Sequence, residues 1–240
     1  MMVGAIIQAR ISSERLPGKV MMDLPYGTGI TVVENIVSRI KGVKKIEKII
    51  LATTVRKEDD ALERLSRKLG IKCFRGDRDN VLSRFIGACS KYGIGTALRL
   101  TADNPCIDPS VIKKVLDNHI RNTAEYTLTS GYPLGTNIEI VSFEALKKVE
   151  KMASDKFSLE HVTSYINEHP DRFKIIKLSA EKRLRMPQLR FTMDTMADYI
   201  FLCCLFGLSG KKNFGIKDSI DIVKKNKYLT MINKDIKQRS

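Results

Sequence analysis

The densest group of side chains that could do chemistry lies in residues 8–19, with the sequence Gln-Ala-Arg-Ile-Ser-Ser-Glu-Arg-Leu-Pro-Gly-Lys. Arg10, Arg15 and Lys19 supply three cations, and the segment adds two hydroxyl groups and a glycine. A triphosphate needs these properties, because cations neutralise its charge, hydroxyls donate hydrogen bonds and glycine allows close backbone approach. Neither a Walker loop nor a GxGxxG turn is present. The residues alone therefore leave two interpretations open, a triphosphate-binding loop and a solvated basic loop.

Two aspartates, Asp103 and Asp194, each follow a short apolar segment. If both segments are strands that end at one edge of a sheet, both carboxylates can project towards the basic loop. Mg²⁺ is usually held by one or two carboxylates together with substrate phosphates. Asp108 precedes Pro109 and is placed to cap a helix, which leaves Asp103 free for another role. We therefore predict that Asp103 and Asp194 share one Mg²⁺; the alternative is that both aspartates cap helices.

The elements that must position these residues follow from hydrophobic periodicity. Apolar runs between polar loops predict strands at 3–7, 46–53, 72–74, 96–100, 126–129, 138–141 and 189–192. Caps and helical spacing predict helices at 32–40, 58–69, 81–92, 109–116 and from 196 onward. This alternation indicates a mostly parallel sheet with helices on both faces, in which ligands bind at the carboxyl ends of the strands. We predict a single Rossmann-like α/β domain over residues 1–240, with an antiparallel insertion at about 125–170 for acceptor binding or dimerisation.

Composition restricts the function classes. The 240 residues carry a formal net charge of +15, which raises the possibility of nucleic-acid binding. The C-terminal cations are spread out rather than clustered with aromatics, so we expect a solvated face and no nucleic-acid partner; they are Lys211, Lys212, Lys217, Lys224, Lys225, Lys227, Lys234, Lys237 and Arg239. The apolar stretch 199–208 is far shorter than the roughly 20 residues of a membrane span. Five cysteines without a CxxC pair indicate reduced thiols in a cytoplasmic protein.

Residues 8–19 resemble the signature Gln-Ala-Arg-x-x-Ser-x-Arg-Leu-Pro-x-Lys of the cytidylyltransferases, which include CMP-Kdo synthetase, CMP-sialic acid synthetase and, most closely, the spore coat polysaccharide biosynthesis protein F family. The resemblance implies a fold of the nucleotide-diphospho-sugar transferase type. It also implies that this loop binds the nucleotide, through Gln8, Ala9, Arg10, Ser13, Arg15 and Lys19. Ser12 stands where the closest relatives usually have glycine, and Glu14 stands where they often have serine. The backbone of this loop could therefore differ from theirs.

The resemblance continues along nearly the whole chain. It implies that Arg10, Lys19 and Asp103 are catalytic and that Asp103 also contacts the nucleotide. Residues similar to the base and ribose side of the cleft are Thr53, Thr54, Arg75 and Arg84, for which helix capping and surface pairing stay open as alternatives. Residues similar to the acceptor side are Arg99, Asn137, Glu139, Glu160 and His161. His161 could be a general base, an acceptor or dimer contact, or a structural histidine, whereas His119 and His169 are expected at the surface.

The resemblance implies Mg²⁺-dependent transfer of CMP from CTP to an acidic sugar or similar acceptor, with release of pyrophosphate, in surface polysaccharide or glycoconjugate biosynthesis. One alternative is a nucleotidyltransferase that uses a phosphorylated acceptor or another nucleotide. A second is a nucleotide-sugar glycosyltransferase, which usually needs a DxD metal site. The non-enzymatic alternative is a basic nucleic-acid-binding protein. The region 125–170 is expected to form a homodimer, because aromatic residues are enriched at such contacts. The expected anchors are Tyr126, Tyr132, Phe157 and Tyr165.

Overall fold

The computed structural model describes residues 2–210 and 214–238, so Lys211, Lys212 and Arg239 of the basic C-terminal set lie outside the described residues. Its strands are β1 (Val3–Gln8), β2 (Lys48–Thr54), β3 (Lys72–Gly76), β4 (Thr96–Thr101), β5 (Tyr126–Ser130), β6 (Glu139–Ser142) and β7 (Ile175–Ser179). They form one sheet in the order β3-β2-β1-β4-β6-β5-β7. Strands β1 to β4 are parallel, and β6 is antiparallel to both of its neighbours. The predicted α/β fold with a mostly parallel sheet is confirmed.

Ten α-helices surround the sheet in the described residues. They are α1 (Val32–Lys41), α2 (Asp60–Lys68), α3 (Val81–Tyr92), α4 (Pro109–Arg121), α5 (Phe143–Met152), α6 (Lys156–His161), α7 (Ser164–Glu168), α8 (Met196–Ser209), α9 (Ile216–Lys225) and α10 (Thr230–Asn233). Capping boxes start α1 at Thr31 and α8 at Thr195, and Asp108 caps α4 as predicted. These caps fix where the helices begin, and hence where the preceding loops end.

Both faces of the sheet are covered. Along β1, Ala5 and Ile7 pack in a cluster that includes residues of α1, α4 and α8, whereas Ile6 packs in a second cluster with residues of α3 and α5. Successive residues of a strand point to opposite faces, so a run that is apolar throughout is buried on both sides. Among residues 2–210 and 214–238, no helix is both long and apolar enough to span a bilayer.

The predicted strand at 189–192 is wrong. A single bridge between Leu134 and Arg190 is the only β-type pairing of this segment within the described residues. Its backbone groups pair with loops: the amide of Phe191 donates to the carbonyl of Leu134 at 2.8 Å, and the amide of Met193 donates to that of Asp103 at 2.8 Å. The segment is apolar because it lies over the buried loops at the end of the sheet.

The surface assignment of His119 and part of the dimer hypothesis also need correction. His119 is 3% exposed, and its Nδ1 lies 2.9 Å from the hydroxyl oxygen of Thr127. Strands β5 and β6 lie within the main sheet, so the aromatic residues near them fill the core of the same chain. Three of the expected dimer anchors are buried there, namely Tyr126, Tyr132 and Tyr165, whereas Phe157 is 48% exposed.

Candidate active site

A cleft of about 600 Å³ opens where β1 and β4 end, at the carboxyl edge of the parallel strands. Ligands of open α/β sheets bind at this edge. The cleft brings together most of the residues that the sequence singled out. They are Gln8, Ala9, Arg10, Ser13, Arg15, Lys19, Arg84, Arg99, Asp103, Glu160, His161 and Asp194.

The basic loop after β1 is tied down by its own backbone and by a neighbouring carboxylate. The carbonyl of Ile11 accepts hydrogen bonds from the amides of Ser13 and Gly18, both at 2.9 Å. The amide of Ile11 donates to Oδ1 of Asp59 at 2.8 Å. Gly18 has φ +71°, a conformation that favours glycine, and leads into a short 3₁₀ helix that begins at Lys19. The loop therefore presents its cations from a fixed backbone.

Lys19 lies between the two predicted metal ligands. Its Nζ is 2.8 Å from Oδ2 of Asp103 and 3.0 Å from Oδ1 of Asp194. The lysine is 8% exposed and Asp194 is 5% exposed, so this contact is largely removed from water. Thr101 at the end of β4 donates from its hydroxyl to Oδ1 of Asp103 at 2.6 Å. The two aspartates, 91 positions apart in the sequence, thus converge on one ammonium group.

Asp194 is surrounded by positive charge. Besides Lys19, it contacts Arg15 at 2.9 Å through Oδ1 and Arg190 at 2.7 Å through Oδ2. Burial acts to raise the pKa of Asp194, but the nearby charges of Lys19, Arg15 and Arg190 outweigh it and hold the pKa below its usual value. Asp194 is therefore ionised and fixed in orientation. Asp198 lies at N3 of α8, as expected for a first-turn residue, and pairs with Arg190.

The donor set fits a hard divalent cation. Carboxylate oxygens of Asp103 and Asp194 already converge on one positive charge, and oxygen ligands suit Mg²⁺. Within the part of the chain that the structure describes, no group of three or more His, Cys, Asp or Glu side chains forms a metal-binding cluster. The protein would thus supply two carboxylates and leave the remaining positions to other ligands, as is usual for Mg²⁺ at phosphate sites.

Buried polar atoms line another wall of the cleft. Among the described residues, Oε1 of Gln8 and Nε of Arg84 have no hydrogen-bond partner. Nη1 of Arg84 is held by the carbonyls of Asp77 and Arg78 at 2.6 and 2.8 Å. Burial lowers the pKa of Arg84, and the charge of nearby Arg10 lowers it further. Gln8, Arg10 and Arg84 all line the cleft, and two cations beside unsatisfied buried groups suit a polar anionic ligand, because such groups are costly without a partner.

The third wall contains groups from β4 and α6. Nη1 of Arg99 lies 3.2 Å from Oε2 of Glu139, its partner across β4 and β6, and the hydroxyl of Thr163 donates to the same oxygen at 2.7 Å. Nη2 of Arg10 lies 3.7 Å from Oε1 of Glu160. This wall therefore contains a cation, Arg99, whose guanidinium is paired with the carboxylate of Glu139.

His161 stands at the end of α6 on this wall. Its ring centroid is 4.4 Å from that of Phe157. The next residue, Val162, is fully buried with φ +57°, and the amide of Thr163 donates to the carbonyl of His161 at 2.5 Å. A β-branched residue in the left-handed region is strained, and such strain is frequent at functional sites. The turn fixes the position of His161 at the cleft.

Five predicted site residues do not line the cleft. The hydroxyl of buried Thr54 donates to Asp59, and Arg75 pairs with Asp60 at 2.6 Å and Glu63 at 2.8 Å. The complete set is Thr53, Thr54, Arg75, Asn137 and Glu139. For Arg75, the structure shows the pairing with carboxylates that the sequence left open, whereas Thr54 is buried and hydrogen-bonded to Asp59 without capping a helix.

Other lining residues were not singled out as site residues, among them Thr101, Asn104, Gly135, Thr192 and Gln238. Gly135 has φ +87°, and a Cβ atom there would lie 2.7 Å from the amide nitrogen of Thr192. Only glycine allows the two loops to approach so closely. Asn104 has a buried Oδ1 without a partner in the described residues. For Thr101, Asn104 and Thr192, closeness to Asp103 or Asp194 in the sequence was the available signal.

Known proteins resemble this chain over most of its length. The cytidylyltransferase family model matches residues 4–236. The chain is 34% identical over 213 residues to the spore coat polysaccharide biosynthesis protein SpsF of Bacillus subtilis, covering 86% of this chain and 87% of that protein. A cytidylyltransferase structure from Leptospira borgpetersenii aligns with a TM-score of 0.91, 29% identity and full coverage of both chains.

The fold extends to more distant enzymes. The structure of CMP:2-keto-3-deoxy-manno-octonic acid synthetase complexed with CTP aligns with a TM-score of 0.66 and 14% identity, covering 87% of this chain and 99% of that chain. The family match spans nearly the whole chain, including the basic loop and both aspartates. The chain is a nucleotidyltransferase that belongs to the cytidylyltransferase family.

Proposed function

We propose that this enzyme transfers CMP from CTP to an acidic sugar or similar acceptor, with Mg²⁺ and with release of pyrophosphate, in surface polysaccharide or glycoconjugate biosynthesis. The observation that carries the proposal is the convergence of Asp103 and Asp194 on Lys19 inside a cleft that also holds Arg10 and Arg15. Paired carboxylates suit a divalent cation, and clustered cations suit a polyphosphate. A site with both properties is suited to nucleotidyl transfer.

The proposed reaction is an in-line displacement. An acceptor oxygen forms a bond to the α-phosphorus of CTP while the bond to the pyrophosphate oxygen breaks, and the hydroxyl proton passes to solvent or a base. Arg10, Arg15 and Lys19 offset the negative charge on the leaving pyrophosphate, and the anchored backbone positions them before the nucleotide arrives. Asp103 and Asp194 would hold Mg²⁺, which supplies Lewis-acid stabilisation of phosphate charge. No covalent enzyme intermediate is needed.

Arg99 is the group we propose for the carboxylate of an acidic acceptor. Arg99 lines the cleft, its guanidinium pairs with Glu139, and Glu139 is in turn held by the hydroxyl of Thr163. Glu139 thereby acts through Arg99 rather than on the acceptor itself. Support for this substrate class comes from the name of the structural neighbour, which joins CMP to a 2-keto-3-deoxy sugar acid, and from that of the Bacillus relative, which refers to polysaccharide biosynthesis.

The location, assembly and binding partners of the enzyme are also proposals. We propose that it acts in the cytoplasm, because its five cysteines contain no CxxC pair, and that it forms a homodimer in which exposed Phe157 is an anchor. CTP and the acceptor are its proposed partners, and nucleic acid and membrane are not.

The test is a pyrophosphate-release screen of the four nucleoside triphosphates against acidic sugars and sugar phosphates, with Mg²⁺. We expect release with CTP and an acidic sugar, and a loss of turnover by orders of magnitude in Asp103→Asn and in Asp194→Asn with the fold retained, because ion-mediated stabilisation is worth several kcal/mol of barrier. Release only with a sugar phosphate or another nucleotide would support the alternative of a nucleotidyltransferase with a phosphorylated acceptor or a different nucleotide. Fully active aspartate variants would remove the metal from this account.

Two binding measurements complete the test. CTP and Mg²⁺ together should stabilise the fold by about 2.7 kcal/mol at a hundredfold excess over the dissociation constant. A salt titration with duplex and single-stranded DNA tests the non-enzymatic alternative, because binding through many phosphates would weaken steeply with salt. Tight, salt-dependent DNA binding without any nucleotide-induced stabilisation would reject the proposed function.

A further inference from the structure

The ammonium group of Lys19 stands where a divalent cation would be bound. It is within 2.8 Å of Asp103 and 3.0 Å of Asp194, so it faces one oxygen from each proposed metal ligand. The same oxygen of Asp194 also contacts Arg15 at 2.9 Å. A metal ion that used these oxygens would meet two positive side chains at contact distance. Lysine and metal therefore compete for the same pair of carboxylates.

The competition is strong because the lysine is shielded from water. Its side chain is 9% exposed and that of Asp194 is 7% exposed. Charges that water screens poorly interact strongly, so repulsion between a metal ion and the ammonium is not weakened here as it would be on a surface. A divalent ion alone offers Lys19 no new partner for its charge. Without another anion in the cleft, displacing the lysine is unfavourable.

A triphosphate changes this balance. Its oxygens carry several negative charges and are strong acceptors for an ammonium group. Lys19 follows Gly18 at the start of a short helix, and its flexible stem can carry the charge from the aspartates to a phosphate in the same cleft. The two carboxylates then lose the counter-ion that they share, while Arg15 and Arg190 stay paired with Asp194. At the same moment the metal gains phosphate oxygens as ligands.

We propose that Lys19 is an internal counter-ion that keeps divalent metal off Asp103 and Asp194 until a triphosphate draws it away, so that metal and nucleotide bind cooperatively. This inference rests on the proposed function for the identity of the two ligands. It adds that the enzyme alone binds metal weakly and that the lysine is the cause. Coupling of this kind is reciprocal, so metal must raise nucleotide affinity by the same factor by which nucleotide raises metal affinity.

The experiment measures Mn²⁺ binding to the full chain without nucleotide, by loss of the free Mn²⁺ signal in electron paramagnetic resonance. The variants are Lys19→Gln and the control Arg10→Gln. Arg10 lines the same cleft and carries the same charge, but it pairs with Glu160 and with neither aspartate in the recorded ion pairs. Both variants remove one positive charge, and only the first removes the ammonium between the carboxylates.

We expect Lys19→Gln to bind Mn²⁺ at least roughly tenfold more tightly than the unmodified enzyme, within the usual range of coupling between sites. Arg10→Gln should change the affinity by less than about threefold, as expected for screened charge at longer range. Adding Asp194→Asn to Lys19→Gln should abolish the gain, which places the ion on that carboxylate. If Lys19→Gln does not fold, Lys19→Met carries the same expectation.

Equal Mn²⁺ affinity in the unmodified enzyme and the Lys19 variants would overturn the proposal. An equal gain in Arg10→Gln would also overturn it, because the effect would then reflect net charge alone. These measurements contain no nucleotide, so their result stands whether or not CTP is the substrate. Repeating them with CTP should show metal affinity rising in the unmodified enzyme and a smaller rise in Lys19→Gln.

Discussion

Nη2 of Arg190 donates to Oδ2 of Asp194 at 2.7 Å, which leaves Oδ1 of that carboxylate to face Arg15 and Lys19. Arg190 is itself held by Asp198, through Nε at 2.7 Å and Nη2 at 3.2 Å. The guanidinium therefore works as a rigid fork between two carboxylates at the start of α8. It is a positioning residue, since it fixes which oxygen of Asp194 is presented to the cleft.

We predict that Arg190→Gln raises the Mn²⁺ or Mg²⁺ concentration needed for half-maximal activity by roughly tenfold or more, in line with the effect of removing partners of metal ligands. It should also destabilise the fold by about 3–5 kcal/mol, because it leaves Asp198 buried without its charge partner. Arg190→Lys keeps the charge and should restore part of the stability without restoring the fork. Metal titrations of activity and denaturant unfolding measure the two effects.

The control is Asn233→Ala. Nδ2 of Asn233 donates to Oδ1 of Asp198 and to the carbonyl of Arg190, both at 3.1 Å, without a recorded contact to Asp194. Its loss should cost about 1–3 kcal/mol of stability with the metal requirement unchanged. An equal shift of the metal requirement in both variants would assign a purely structural role to Arg190.

Arg75 and Arg84 give a second prediction, because the resemblance suggested both as nucleotide contacts and the structure separates them. Arg84→Gln should weaken CTP binding by tenfold or more, the order expected when a buried charge-assisted contact is lost. Arg75→Gln should leave CTP affinity within about twofold, since it removes partly exposed ion pairs with Asp60 and Glu63 that are worth little. Isothermal titration calorimetry with CTP and Mg²⁺ decides between them. A comparable loss in Arg75→Gln would extend the nucleotide site beyond this cleft.

His119 predicts a pH dependence of stability. Burial lowers the pKa of His119 to about 4, from an ordinary value of 6.5. Between these values the unfolded chain binds a proton that the native histidine does not, so the free energy of unfolding falls as the pH drops from 6.5 to 4. The loss is up to about 3 kcal/mol. His119→Asn, which can keep the contact to Thr127, should flatten this part of the curve; an unchanged slope would mean that other groups cause it.

The sequence alone predicted the elements that border the cleft, strand β1 and helix α3, for a local reason. Strand β1 and its basic loop are continuous in the chain, and α3 occupies the predicted 81–92, because periodicity and caps are short-range signals. The approach of Asp103 to Asp194 could be predicted because the ends of parallel strands meet at one edge. Asp194 reaches this edge from a loop segment instead of a strand.

Long-range packing could not be read in the same way. Tyr126 and Tyr165 look like surface anchors in a sequence, and only the position of β5 within the sheet shows that they fill the core. His119 becomes buried because α4 packs against β5, where Thr127 provides its partner. The role of Arg190 depends on two carboxylates and an asparagine from α10, of which the last is 43 residues away. A contact between segments this far apart has no local signature.

The antiparallel direction of β6 has a consequence for how this enzyme could diversify. Strand β5 ends and β6 begins at the edge where the cleft opens, so residues 131–138 form a hairpin loop anchored at both ends by paired strands. Loops held on a rigid sheet tolerate replacement far better than the strands that carry them. The basic loop after β1 and the arginine fork at α8 belong to other segments of the chain. Within residues 131–138, however, Leu134 bridges Arg190 and Gly135 lies against Thr192, so only changes that keep these two contacts would leave the placement of Asp194 intact.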